Sequence, residues 1–217
     1  MNRPIRSYVL RQGRTTRAQQ RALEELYPKY GLPFTQTELN PMEVFGRKAP
    51  LVLEIGSGMG ETTAAIAEAC PGADFIAVEV HGPGIGSLLN RVAAKDLRNV
   101  RVVRHDAVEV LGRMIPDAAL AALHLFFPDP WPKKRHHKRR LVQPQFAALA
   151  ARKLAPGGIL HAATDWPDYA EEIERVLTES GDFEKAESGF APRPATKFEA
   201  RGKRLGHPIR DLCFRRR

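Results

Sequence analysis

The chain has 217 residues, enough for one well-buried domain with appendages and too few for two full α/β domains. Its 34 Lys and Arg against 25 Asp and Glu give a net charge of +9, and its two cysteines, Cys70 and Cys213, stand in no metal-like spacing, so a zinc site and a disulfide scaffold are set aside and a reduced, cytoplasmic setting is expected. The longest apolar stretch, 118–127, is broken by His124 and is shorter than the ~20 residues of a membrane span, and the Arg-studded N-terminus lacks the apolar core of a signal peptide.

Charge is segregated along the chain. Residues 1–50 hold nine basic and four acidic side chains, 193–217 hold nine and two, and 51–132 hold six and ten. An acidic middle between basic ends fits a small cationic ligand in the core and a nucleic acid across the rim.

In chain order, residues 1–15 are polar and basic and predict no packed structure by themselves. Residues 16–27, TRAQQRALEELY, predict a short helix with Ala22, Leu23, Leu26 and Tyr27 on one side, ended by Pro28 and Gly31. Either this is a tail and a surface helix, or it is an arm that closes over RNA. From residue 51 the pattern is strand, glycine turn, helix, repeated. LVLEI (51–55) is followed by the turn GSGMGE (56–61) and a small-residue helix (62–69). FIAVE (75–79), a helix within 84–95, VRVVR (100–104) and a helix over 107–115 come next. ALAALHLFF (119–127), LVQPQFAALAARKL (141–154), GILHAAT (158–164) and YAEEIERVL (169–177) continue the alternation, with strand candidates at 183–188 and 209–215, the last able to add antiparallel. Buried strands alternating with helices predict an α/β fold with a doubly wound, mostly parallel seven-stranded sheet, Rossmann-like over 48–217, preceded by a basic N-terminal extension over 1–47.

The glycine turn says which ligand to expect. A dinucleotide fingerprint places a third glycine five residues after the first, where this chain has Glu61 after Gly56 and Gly58. Glu54 and Glu61 bracket the turn with negative charge, which opposes a pyrophosphate and suits a sulfonium and an ammonium. S-adenosylmethionine carries both and no phosphate. Glu79 closes the second strand where an acid can take ribose hydroxyls, and Asp106, after the third, can accept from the adenine amine. Either acid alone also reads as a turn residue or a helix cap.

Residues 123–140, LHLFFPDPWPKKRHHKRR, join a buried strand to an acid (Asp129), an indole (Trp131) and an eight-residue run with six Lys or Arg. The run lies between a strand and a helix, so it is a loop at the carboxyl edge of the sheet, where ligands sit. Trp131 can stack on an everted base or pack under the loop.

Together, LEIGSGMGE, AVEVH, HLFFPDPWPKKRHHKRR, TDW and TKFEARG resemble the bacterial tRNA (guanine-N7-)-methyltransferases of the TrmB type, class I S-adenosylmethionine-dependent enzymes, and RQGRTT and AQQRALEELYPKYG extend the resemblance to the N-terminus. The resemblance implies that Glu54, Glu79, Asp106 and Asp129 contact or face the cofactor, with Asp129 also the catalytic acid. It assigns Lys133, Asp165 and Thr196, Lys197, Phe198 and Glu199 to substrate binding, and Arg135, His136, His137, Lys138, Arg139 and Arg140 to RNA contact. It implies tRNA as partner, no obligatory protein partner, and a variable-loop guanosine, tRNA position 46, as target. Guanine N7 has a lone pair and no proton, so in-line attack on a methyl group requires no general base; the site must orient that lone pair and place a negative group near the charge growing on the purine. Two other readings stand beside it. An exocyclic-amine methyltransferase usually has two prolines between acid and aromatic, where this chain has one; a non-enzymatic RNA-binding module would have no need of converging carboxylates.

Overall fold

The computed structural model describes residues 6–9, 13–194 and 208–217. Its elements are α1 (Arg17–Glu25), α2 (Tyr27–Tyr30), β1 (Gly31–Leu32), α3 (Pro41–Phe45), β2 (Leu51–Ile55), α4 (Glu61–Ala69), β3 (Asp74–Val78), α5 (Gly82–Ala94), β4 (Val100–Val103), α6 (Ala107–Arg113), β5 (Leu120–Phe126), a 3-10 turn (Lys134–Arg139), α7 (Pro144–Lys153), β6 (Leu154–Thr164), α8 (Pro167–Glu179), β7 (Phe183–Lys185) and β8 (Arg210–Arg216). Every residue of β2 and β3 is buried, because helices cover both faces of the sheet; this is why their sequences are nearly continuous apolar runs rather than alternating ones.

The strands lie in the order β1-β4-β3-β2-β5-β6-β8-β7. The pairs from β1 to β6 are parallel, and β8 adds antiparallel to β6, with Thr164 opposite Arg210. The doubly wound, mostly parallel expectation therefore holds, but with eight strands. The additional one, β1, is two residues long, too short to leave a periodic signature, and exists through its pairing with Val102 and Val103. Strand order reverses between β2 and β5, which opens a crevice at their carboxyl ends.

One face of the sheet packs Leu53, Ile55, Leu123 and Leu125 against α6, α7 and α8; the other packs Val52, Phe75, Ala77 and Ala122 against α4 and α5. The first helix belongs to that second layer. Thr16 and Gln19 form a capping box at its start, Ala22 is buried, and the Gln19 amide donates to Ser87 Oγ at 2.9 Å. Gly86 allows this approach, since a Cβ there would stand 2.5 Å from the Gln19 carbonyl oxygen.

Gly84 sets the depth of the crevice floor. A Cβ at this position would lie 2.4 Å from the Gly58 carbonyl oxygen, so α5 abuts the glycine turn only because residue 84 has no side chain. Gly84→Ala is expected to lower unfolding free energy by ~1–3 kcal/mol through overpacking. Gly112→Ala, at a helix position with nothing within 4 Å of the added carbon, should instead leave stability equal or raise it by up to ~1 kcal/mol. Denaturant unfolding of the two variants measures the contrast.

Candidate active site

The crevice contains a cleft of about 620 Å³, within the range of small-molecule sites, whose walls include Gly56, Glu79, Phe127, Asp129 and Trp131. Its floor is the turn between β2 and α4, where Gly56, Gly58 and Gly60 take φ of 72°, 55° and 75°, a left-handed region open to glycine at little cost. The Gly56 amide donates to Val78 O at 2.8 Å and ties the turn to β3. Nothing lies within 4 Å of where a Cβ would sit on Gly56 or Gly58, so a ligand can approach that backbone closely.

The four predicted cofactor acids gather at this end of the sheet, in different states. Glu79 accepts the amides of Gly58 (2.8 Å), Val80 (2.7 Å) and His81 (2.9 Å), which fixes its carboxylate and leaves about one acceptor site for a ligand hydroxyl. Glu54 lies beneath the turn rather than in the cleft wall and is buried, with one oxygen accepting the Thr63 hydroxyl at 2.8 Å. Burial pushes its carboxyl up from 4.5 to about 7; the Thr63 bond opposes that shift and the nearby Glu79 charge adds to it. Asp106 caps α6 through one oxygen, which accepts from Val108 (2.8 Å) and Glu109 (3.3 Å), so the capping role is realised. Asp129, exposed after β5, lines the cleft directly.

These contacts test the cofactor. The Gly58 amide that a pyrophosphate would require is already donated to Glu79, and Glu61 puts a carboxylate at the start of α4, although Arg91 pairs with it at 2.9 Å and offsets part of the charge expected there. The donor set is that of a site for a cation without phosphate, and S-adenosylmethionine fits it.

The loop after β5 is backbone-strained. Phe127 and Trp131, neither of them glycine, take φ of 53° and 47°, one on each side of Pro128-Asp129-Pro130. The Phe127 amide donates to Ala163 O at 2.7 Å, and the Trp131 indole donates to Ser7 O at 3.1 Å. Trp131 is thus packed between the N-terminal segment and the basic run, where Arg139 stands 4.9 Å over its ring. Ser7, Tyr8 and Val9 line the cleft and were not among the predicted site residues. A lone tyrosine in a basic, non-periodic stretch gives no signal of that kind. Burial raises the Tyr8 phenol, and Asp106 raises it further.

The basic run forms a 3-10 turn with Lys133, Lys134, Arg135 and Lys138 exposed. Desolvation, then Arg135, Arg139, Lys133 and Lys138, lower the His136 imidazole from its ordinary value. Arg140 does not belong with these surface cations. It is 2% exposed and its guanidinium points inward, to Pro130 O, Asp168 and Glu172, because a buried guanidinium must spend its donors on protein acceptors. Asp165 is half-buried just before α8, and Thr196, Lys197, Phe198 and Glu199 lie outside the described residues.

Three comparisons bear on the chain. A family model described as "Putative methyltransferase" matches residues 48–212. The chain is 58% identical over its whole length, and over 85% of the relative's, to the tRNA (guanine-N(7)-)-methyltransferase of Aromatoleum aromaticum. It is 54% identical to that of Nitrosospira multiformis over 100% of this chain and 96% of the relative, and 55% identical to that of Nitrosomonas europaea over 98% and 97%. Among solved structures, an aminoglycoside-resistance methyltransferase, NpmB1, superposes with a TM-score of 0.58 at 15% identity, covering 85% of this chain and 95% of its own. The 16S rRNA (adenine(1408)-N(1))-methyltransferase of Catenulisporales acidiphilia superposes at 0.54 and 16%, covering 83% and 92%; both likenesses are of fold.

Glu54 yields a pH prediction. Because its folded carboxyl is raised above its unfolded value, its favourable contribution is complete below pH 4.5 and is lost as pH rises through about 7. Glu54→Gln should therefore stabilise the ligand-free protein by roughly 3 kcal/mol above pH 7 and leave it unchanged below pH 4. Thermal melts across that range measure it.

Proposed function

The chain belongs to the tRNA (guanine-N(7)-)-methyltransferase family, and from that premise we propose how its own residues carry the reaction. It is an enzyme that moves a methyl group from S-adenosylmethionine to N7 of a guanine in tRNA. The guanine is the variable-loop base at tRNA position 46. When bound, the cofactor supplies an electrophilic methyl on a sulfonium.

Glu79 gives the cleft wall its negative charge, and Glu54, raised to about 7 beneath the glycine turn, adds to it when a cation is bound. Glu54 would ionise in response to an incoming cation, Glu79 would keep one acceptor position for a ribose hydroxyl, and Asp106, which the Tyr8 hydroxyl also contacts, would face the adenine amine. Asp129 accepts hydrogen bonds from the Watson-Crick edge of the guanine and opposes the positive charge that grows on the ring as N7 is alkylated. No residue has to remove a proton, since N7 carries none. Catalysis rests on orientation and charge, and the strained backbone on both sides of Asp129 supports the first of these.

Lys133, Asp165 and the segment Thr196, Lys197, Phe198 and Glu199 position the nucleotide. Arg135, His136, His137, Lys138 and Arg139 form the rim that meets RNA phosphates. Residues 1–47 act as the arm of a methyltransferase domain over 48–217; the match over 48–212 and the seating of Ser7, Tyr8 and Val9 on the cleft support this division. The protein works in the cytoplasm, where its tRNA substrate is. The observation that carries the reading is Asp129 on the cleft wall at the carboxyl end of β5, beside the strand-order reversal.

Two outcomes test it. Incubation with labelled S-adenosylmethionine and bulk tRNA, followed by borohydride and aniline treatment, should cut the RNA at one variable-loop guanine, and Asp129→Ala should lower the rate by ~10² to 10³. Neutralising Lys134, Arg135 and Lys138 together should weaken tRNA binding and reduce the slope of log K against log salt by about 0.7–0.9 per lost phosphate contact. An unchanged slope removes the RNA-contact assignment.

A further inference from the structure

Arg140 closes the basic run in sequence but occupies a different place in space. Its side chain is 1% exposed. Nε donates to Pro130 O at 2.8 Å, one Nη donates to Asp168 Oδ2 at 2.5 Å, the other reaches Glu172 Oε2, and the guanidinium plane lies 4.9 Å from the centre of the Tyr169 ring. Tyr169 is itself fully buried, and its hydroxyl accepts the Val142 amide at 3.2 Å, so the ring under the guanidinium is fixed.

The three acceptors come from the loop after β5 and from helix α8, which follows directly on the loop carrying Asp165. Pro130 stands between Asp129 and Trp131, while Asp168 lies in the first turn of α8, three residues after Asp165. We infer that Arg140 is a positioning residue, a cross-brace that fixes the loop carrying Asp129 relative to the loop carrying Asp165 and thereby sets the catalytic geometry for the guanine. This rests on the roles proposed above for those two acids.

The chemistry favours a brace over a chance internal ion pair. A planar guanidinium offers five donors in a fixed fork, so one group can hold a carbonyl on a loop and two carboxylates on a helix at once; an ammonium is a single point with no such fork. The carbonyl it holds belongs to a segment whose flanking residues, Phe127 and Trp131, sit in left-handed backbone conformations that need external restraint. Phe127 is tied by its amide to Ala163 O on β6, and Arg140 supplies the restraint at the other end. An arginine committed to RNA would be exposed, as Arg135 is.

Arg140→Lys, which keeps the charge and removes the fork, separates the alternatives. The expected result is S-adenosylmethionine affinity within twofold of wild type by calorimetry, kcat at saturating tRNA lowered tenfold or more, and an unchanged salt slope of tRNA binding. The chain's two tryptophans, Trp131 and Trp166, stand on the two braced loops, so the intrinsic emission spectrum should also shift with no change in far-ultraviolet circular dichroism. A reduced salt slope with unchanged kcat would overturn the inference in favour of an RNA contact, and a lowered melting temperature with unchanged kcat and emission would reduce Arg140 to a stabilising residue. Should Arg140→Lys fail to fold, Asp168→Ala decides. It removes one prong at a side chain 62% exposed and should lower kcat about threefold to tenfold with cofactor binding retained, whereas unchanged kcat overturns the inference. Wild-type protein inactive on tRNA would defeat the proposed function itself, a result distinct from all of these.

Discussion

Negative charge gathered where strand order reverses is the constraint on which the molecule turns. Carboxylates near one another in a partly dry crevice repel, and each is accommodated differently. Glu79 is satisfied by three backbone amides. Asp106 spends one oxygen on a helix start. Glu54 has only a hydroxyl for company and is held near the point of neutralisation. A crevice arranged in this way has unspent affinity for a cation, because an incoming positive charge relieves the repulsion and lets Glu54 ionise. The same arrangement disfavours a pyrophosphate, because the Gly58 amide is already donated to Glu79 and carboxylates surround the turn.

The second requirement is rigidity around Asp129. This residue lies in a five-residue stretch whose ends have left-handed backbone, a conformation that costs on the order of 1–3 kcal/mol at each non-glycine position. The surroundings hold it there: the Phe127 amide on β6, the Trp131 indole on the N-terminal segment, and the Pro130 carbonyl on Arg140. A reaction that needs no proton transfer depends on how well two reacting atoms are aligned, so a stiff loop matters more in this site than a tuned base would.

Much of this was legible in the sequence, and the failures have causes. The central strands announce themselves because parallel strands buried on both faces are continuous apolar runs, as LVLEI and FIAVE are. The non-dinucleotide character of the turn was readable from Glu61 in place of glycine. Elements whose existence depends on distant partners were silent: β1 is two residues that pair with β4, and α3 is five residues with none buried. Arg140 was misread because composition cannot tell the last arginine of a basic run from its neighbours; only α8, thirty residues further on, supplies the acids that turn it inward. Ser7, Tyr8 and Val9 left no periodic trace because a short irregular stretch, bent at Ser7 and Tyr8, has no repeating face to bury.

Titration calorimetry with S-adenosylmethionine at pH 7, repeated in buffers of different ionisation enthalpy, tests the charge constraint most directly. If the crevice is an acidic cradle with the Glu54 carboxyl raised to about 7, binding should release protons, and the release should vanish in Glu54→Gln. Binding with no proton release in the wild-type protein, or uptake of a nicotinamide dinucleotide in place of the sulfonium, would contradict it.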